Sequence, residues 1–135
     1  MSADGGIRFV VPGIPSSLNV WTRSHWRTRH SESLSWNTRI QLFYLSQYSH
    51  LPRPAFTGGV HLLFEFRRPR SKKLIDVDNM APKHLVDAMR GLLFPDDSPK
   101  WVKSITMTAH RDVGIPSDET LIMVEPDLGD IPWRR

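Results

Sequence analysis

The chain has no cysteine, so neither disulfides nor thiolate zinc sites can hold it together. No stretch comes near the roughly 20 apolar residues of a membrane helix. An apolar fraction of 39% with 24% charged residues is a globular balance. The amino-terminal stretch MSADGGIRFVV lacks a basic segment followed by a long apolar one, so no secretion signal and a cytoplasmic location are expected. Gly5-Gly6 and Gly58-Gly59 stand outside the G-x-x-x-x-G-K-[ST] and G-x-G-x-x-G contexts, which argues against a nucleotide cofactor. The six histidines (His25, His30, His50, His61, His84 and His110) show no i, i+4 pair around a glutamate, so a zincin-type centre has no support. Ser16 and Ser17 lie in a Pro-rich stretch without a nucleophile elbow. Acids are also scarce in the first half: residues 1–75 hold 11 Lys+Arg against 3 Asp+Glu, and residues 76–135 hold 7 against 11. The halves are thus +8 and −4. A basic half suggests a polyanionic partner, and a solvated basic face is the plain alternative.

With 135 residues the chain is most simply one domain. Residues 7–11 read as a strand closed by Pro12 and Gly13, and residues 15–33 read as a long surface loop. Trp36, Ile40, Phe43 and Tyr44 recur at helical spacing within about residues 32–48, ahead of Pro52 and Pro54. Val60, Leu62, Phe64 and Phe66 alternate with more polar residues, as in a half-buried strand. The stripe Leu85, Ala88, Met89 and Leu92 predicts a second helix over about 80–93, with Asp78 or Asn79 as its cap. Strands are predicted over 102–110 and 120–125, and a loosely held tail over 126–135. The order β-α-β-α-β-β predicts a small single α/β domain, a mixed sheet with helices packed on one face.

The stretch KKLIDVDNMAPKHLVDAM, residues 72–89, places Asp76 and Asp78 one residue apart, directly after Arg67, Arg68, Arg70, Lys72 and Lys73. In extended backbone, i and i+2 share a side, so the two carboxylates can face one space. Like charges coexist there cheaply only around a proton, a basic side chain or a metal ion, and Mg²⁺ favours carboxylate oxygen and water. Asp96 and Asp97 follow the second helix and would come near the first pair if that helix packs back across the sheet. An EF-hand fails, because Met80 and Ala81 occupy the places of a ligand and the required glycine. The structural alternative is a helix cap at Asp78 and Asn79, a pair of Asp76 with Lys72 or Lys73, and an ordinary Asp96-Asp97-Ser98 turn. Upstream, Trp21 and Trp26 are interleaved with Arg23, Arg27, Arg29 and His25. Such a mixture suits stacking on bases and gripping phosphates; equally, the tryptophans can belong to the core and the arginines to solvent.

Ile14-Pro15-Ser16-Ser17-Leu18-Asn19, Asp76-Val77-Asp78-Asn79, Leu85-Val86-Asp87-Ala88-Met89 and Leu93-Phe94-Pro95-Asp96-Asp97-Ser98, in that order, resemble the RusA family of Holliday junction resolvases and its phage and prophage relatives. The likeness runs from about residue 7 to 125. It implies a RusA-like fold and a homodimeric, Mg²⁺-dependent (or Mn²⁺-dependent) endonuclease of DNA recombination and repair, which nicks two strands of a four-way junction symmetrically. Asp76, Asp78 and Asp97 would be its acidic cluster, with Asp96 a neighbour to the metal, and the arginines and lysines named above would meet the DNA backbone. The family's lysine falls four residues after the second aspartate; that position is Pro82 here, and Lys83 is the expected substitute. A non-catalytic module that binds branched DNA is the alternative expectation.

Overall fold

The computed structural model describes residues 5–133; residues 1–4 and 134–135, the start of the amino-terminal stretch and the end of the expected tail, lie outside it. The elements are β1 (Ile7–Pro12), α1 (Leu18–Arg23), α2 (Trp26–Tyr48), β2 (Val60–Pro69), a 3-10 turn (Val77–Asn79), α3 (Lys83–Met89), β3 (Val102–Asp112) and β4 (Glu119–Pro126). The strands form one mixed sheet in the order β1-β4-β2-β3, so β2 is central between antiparallel β4 and parallel β3. Parallel neighbours need a crossover, and the segment carrying α3 supplies it.

Strand alternation decides where the core sits. Ile7, Phe9 and Val11 of β1, Leu62, Phe64 and Phe66 of β2, and Ile122 and Val124 of β4 join one buried cluster. The helices close it from that same side. α2 contributes Trp36, Ile40 and Tyr44, one residue per turn, and α3 contributes Leu85 and Met89. The Tyr44 ring meets Phe9 edge-on at 5.6 Å. Burial pushes the Tyr44 phenol up to about 12, since a phenolate there would lose its water.

The α/β architecture is as the pattern predicts, with three differences in its parts. The expected loop over 15–33 is largely helical. Ser17 Oγ accepts from Val20 N at 3.3 Å to cap α1, and His25 Nδ1 accepts from Arg27 N at 3.1 Å to cap α2. α1 buries no residue, so it carries no apolar period to read. The expected second helix, 80–93, is cut to 83–89. Pro82 stands at its start without a side-chain cap, and Gly91, with φ +81°, turns the chain out after it. Leu92 and Leu93 then give their carbonyls to Ala55 N and Phe56 N. Neither Asp78 nor Asn79 caps α3.

The tail is also better held than composition predicts. His61 Nε2 lies 2.9 Å from Asp127 Oδ1, and Trp133 Nε1 donates to Thr106 Oγ1 at 3.0 Å, so residues 127–133 lie across the sheet face opposite the helices. Histidine and threonine facing outward from the strands give that face polar anchors, which a composition argument cannot see.

Candidate functional site

The chain leaves the C-terminal end of β2 through Arg70 to Ile75 and makes the 3-10 turn that carries Asp76 and Asp78. Met80, 7% exposed, plugs the end of this turn into the core. Ser17 bridges Met80, and Asn19 N donates to Asn79 Oδ1 at 3.3 Å, so the start of α1 is stitched to the acidic turn. A cavity of about 330 Å³ opens here, with Ile14, Ser17, Arg68, Lys73, Asp76 and Asp118 in its wall. It lies beyond the carboxyl end of a strand with a parallel neighbour, the usual place for a ligand in such sheets.

Asp76 and Asp78 are both exposed, and they meet through a turn rather than through the extended strand that the spacing suggests. A hydrogen bond between the two side chains, reinforced by their like charge, raises the Asp76 carboxyl above its ordinary value, while the positive charge of Lys73 pulls the other way. Two exposed acids that repel each other in this manner suit a cation between them.

Asp96 and Asp97 are not brought to this pair. They lie on the segment that enters the N-terminal end of β3, and that end pairs with the N-terminal end of β2, whereas Asp76 and Asp78 follow the C-terminal end of β2. Asp97 N donates to Asp96 Oδ1 at 2.8 Å in a local turn. Among the described residues, no three His, Asp or Glu side chains gather as metal ligands. Mg²⁺ does not require three: one or two carboxylates with waters and a substrate phosphate complete its octahedron, and Asp76 with Asp78 fit that demand.

The cations fall into two groups. Arg67 is held by Glu65 at 2.7 Å and Glu119 at 3.5 Å, and Arg68 by Asp118 at 3.1 Å, with Lys72 at 3.6 Å from the same acid. These three are paired rather than free for a ligand, although Arg68 still faces the cavity. Arg70 and Lys73 are exposed, and of the run only Lys73 bears on Asp76. Lys83 opens α3 and pairs with Asp87 at 3.3 Å, so the expected substitute lysine is engaged along its own helix. On the other side of the turn, Arg23 ends α1, Arg27 stacks over Trp26 at 5.3 Å, and Arg29 over Trp21 at 5.1 Å. The two tryptophans differ: Trp21 is half-buried edge-on to His84, and Trp26 is 59% exposed.

No protein-family model matches the chain, and no curated protein matches it. Two members of the cavity wall escaped the sequence reading. Asp118 precedes β4, far along the chain from Arg68, and Ser17 reads there as part of a Pro-rich stretch and of the Ile14–Asn19 match, with no role assigned to it. The pairing of β2 with β4 brings the first of these in, and no local spacing signals it.

Proposed function

We propose that this protein is a Mg²⁺-dependent, structure-selective DNA endonuclease of the RusA type that nicks four-way junctions as a homodimer. The observation that carries it is the placement of Asp76 and Asp78: two exposed carboxylates on one short turn, near enough that Asp78 raises the Asp76 carboxyl, with Asp76 and Lys73 in the wall of a cavity. Evolving a repulsive pair on a surface turn has no structural return, because neither acid caps the helix that follows. Asp76 and Asp78 would hold a Mg²⁺ ion, which would supply charge stabilisation at the scissile phosphate and a hydroxide near neutral pH. Lys73 places a positive charge where the phosphate gathers negative charge, and Arg23, Arg29 and Arg70 grip the flanking backbone. Asp97 is the acid that the resemblance adds to the pair.

A second reading, a branched-DNA-binding module without nuclease chemistry, draws on Pro82 at the family's lysine position and on the engagement of Lys83 by Asp87. Incubation of a labelled four-way junction and a matched linear duplex in Mg²⁺ and in EDTA, beside Asp78→Asn, decides between them. Metal-dependent paired nicks on the junction alone, lost in the variant, are expected. Tight junction binding without nicks would leave the binding module instead.

A further inference from the structure

Arg27, Ser31, Ser35 and Arg39 recur at every fourth position of α2 and so form one row on its surface. The row borders a groove of about 470 Å³ whose wall also includes Thr28, Glu32 and the Trp36 ring. Ile14 lines both this groove and the cavity that holds Asp76, which makes the two openings neighbours. Arg39 is set in place before any ligand arrives. Its Nη1 donates to Pro12 O at 3.3 Å and its Cζ lies 4.7 Å from the Trp36 ring centre. Gly13 leaves room for it, since a Cβ there would stand 2.5 Å from Nη1.

Glu32 is the one acid in the wall, and it turns inward. Its Oε2 accepts from Ser16 N at 2.8 Å, and its Oε1 lies 3.5 Å from Nε2 of buried His84, an approach without hydrogen-bond geometry. Unlike Arg67 and Arg68, neither Arg27 nor Arg39 has a carboxylate partner among the described residues. The groove therefore presents two guanidinium groups with hydroxyl donors between them, the donor set that phosphodiester oxygens accept. Arg27 to Arg39 spans about 18 Å at the helical rise of ~1.5 Å per residue. That is too long for one phosphate, and it matches several strand steps of about 3.4 Å.

We propose that this row binds consecutive backbone phosphates of the strand whose scissile phosphate sits at the Asp76–Asp78 pair, which rests on the endonuclease reading above. The row sets strand direction at the cut, and Ser31 and Ser35 belong to it with the two arginines. The test is binding of a labelled four-way junction in EDTA by the wild type, Ser31→Glu, Ser35→Glu and Thr38→Glu. All three variants add the same charge to exposed or half-exposed positions of α2, but Thr38 faces a different groove with Leu42 and Leu45. Ser31→Glu and Ser35→Glu should weaken binding about tenfold while Thr38→Glu changes it little, and Arg27→Gln should lower the salt slope by about one. Equal effects of all three glutamates, or none, would overturn the row, as would a wild type that binds no junction. Arg27→Gln, at an exposed position, carries the test should a glutamate unfold the helix. Cleavage in Mg²⁺ separates the two readings: row-dependent binding without nicks removes the nuclease and keeps the row, and nicking by row variants that bind normally does the reverse.

Discussion

Two polar regions sit at opposite sides of this sheet, and they are built on opposite terms. On the face away from the helices several polar side chains are paired: Arg67 has Glu65 and Glu119, and His61 has Ser104 Oγ at 2.6 Å and Asp127 at 2.9 Å. At the end of β2, Asp76 and Asp78 instead face each other, with Lys73 as the nearby cation. A satisfied network rigidifies and holds a strap of chain in place; an unsatisfied pair on a surface turn stores a preference for something that is not part of the fold. The same residue types thus do structural work in one place and, on the proposed reading, receive a ligand in the other. Charge content alone could not have separated them.

The strongest way to break the comparison is to neutralise the unsatisfied pair. Asp76→Asn and Asp78→Asn should each lower junction cleavage by about 10²–10³-fold, because the metal's charge stabilisation amounts to several kcal/mol at about 1.4 kcal/mol per tenfold. In metal-free buffer at neutral pH the same variants should melt higher than wild type, since a repulsion is gone. A variant that loses both cleavage and stability would make the pair structural after all. Next in size, Lys73→Gln should cost about tenfold in cleavage, the scale of one charged hydrogen bond, and Lys83→Gln much less. The reverse order would return the family role to Lys83.

On the satisfied face, His61→Ala removes a partner from both Ser104 and Asp127. It should destabilise the fold by about 1–3 kcal/mol in urea melts while leaving the specific activity of the folded fraction unchanged. Loss of activity in folded His61→Ala would connect the two regions. Ion binding sharpens the contrast further. Mg²⁺ at about 100 times its Kd should add ~2.7 kcal/mol to wild-type stability and nothing to Asp76→Asn. Asp97→Asn is expected to keep that gain in full, because the resting pair binds the ion without it. A gain lost with Asp97 would place that acid in the ion site of the free protein.

Much of the fold was legible because its signals are periodic. Leu62, Phe64 and Phe66 mark the central strand, and Trp36, Ile40 and Tyr44 the long helix, since burial imposes a period on both. α1 was invisible for the complementary reason: it buries nothing, and its capping serine reads as loop until the backbone is seen. The Asp76–Asp78 pair was legible from spacing, but the separation of Asp97 from it was not, because the chain runs from one end of a parallel pair to the other between them. Arg39 and Asp118 escaped for want of local context. Their roles depend on Trp36 and Pro12, and on Arg68, which tertiary pairing alone brings close.

The finest distinction between the two regions is the sign of their pH dependence. Asp76 has its carboxyl raised by Asp78, so the folded state carries a penalty that is absent below the ordinary carboxylate pKa and grows as pH rises through the raised value. Asp127 has its carboxyl lowered, first by the His61 hydrogen bond and then by the Gly129 N–H, so its contribution is present above the ordinary value and is lost as pH falls through the lowered one. Relative to wild type in metal-free buffer, Asp76→Asn should therefore gain stability as pH rises from acid to neutral, and Asp127→Asn should lose it over the same climb. Thermal melts of the three proteins across that range measure both slopes at once. Slopes of equal sign would mean that the two acids sit in equivalent surroundings, and the turn would lose its claim to be held ready for a cation.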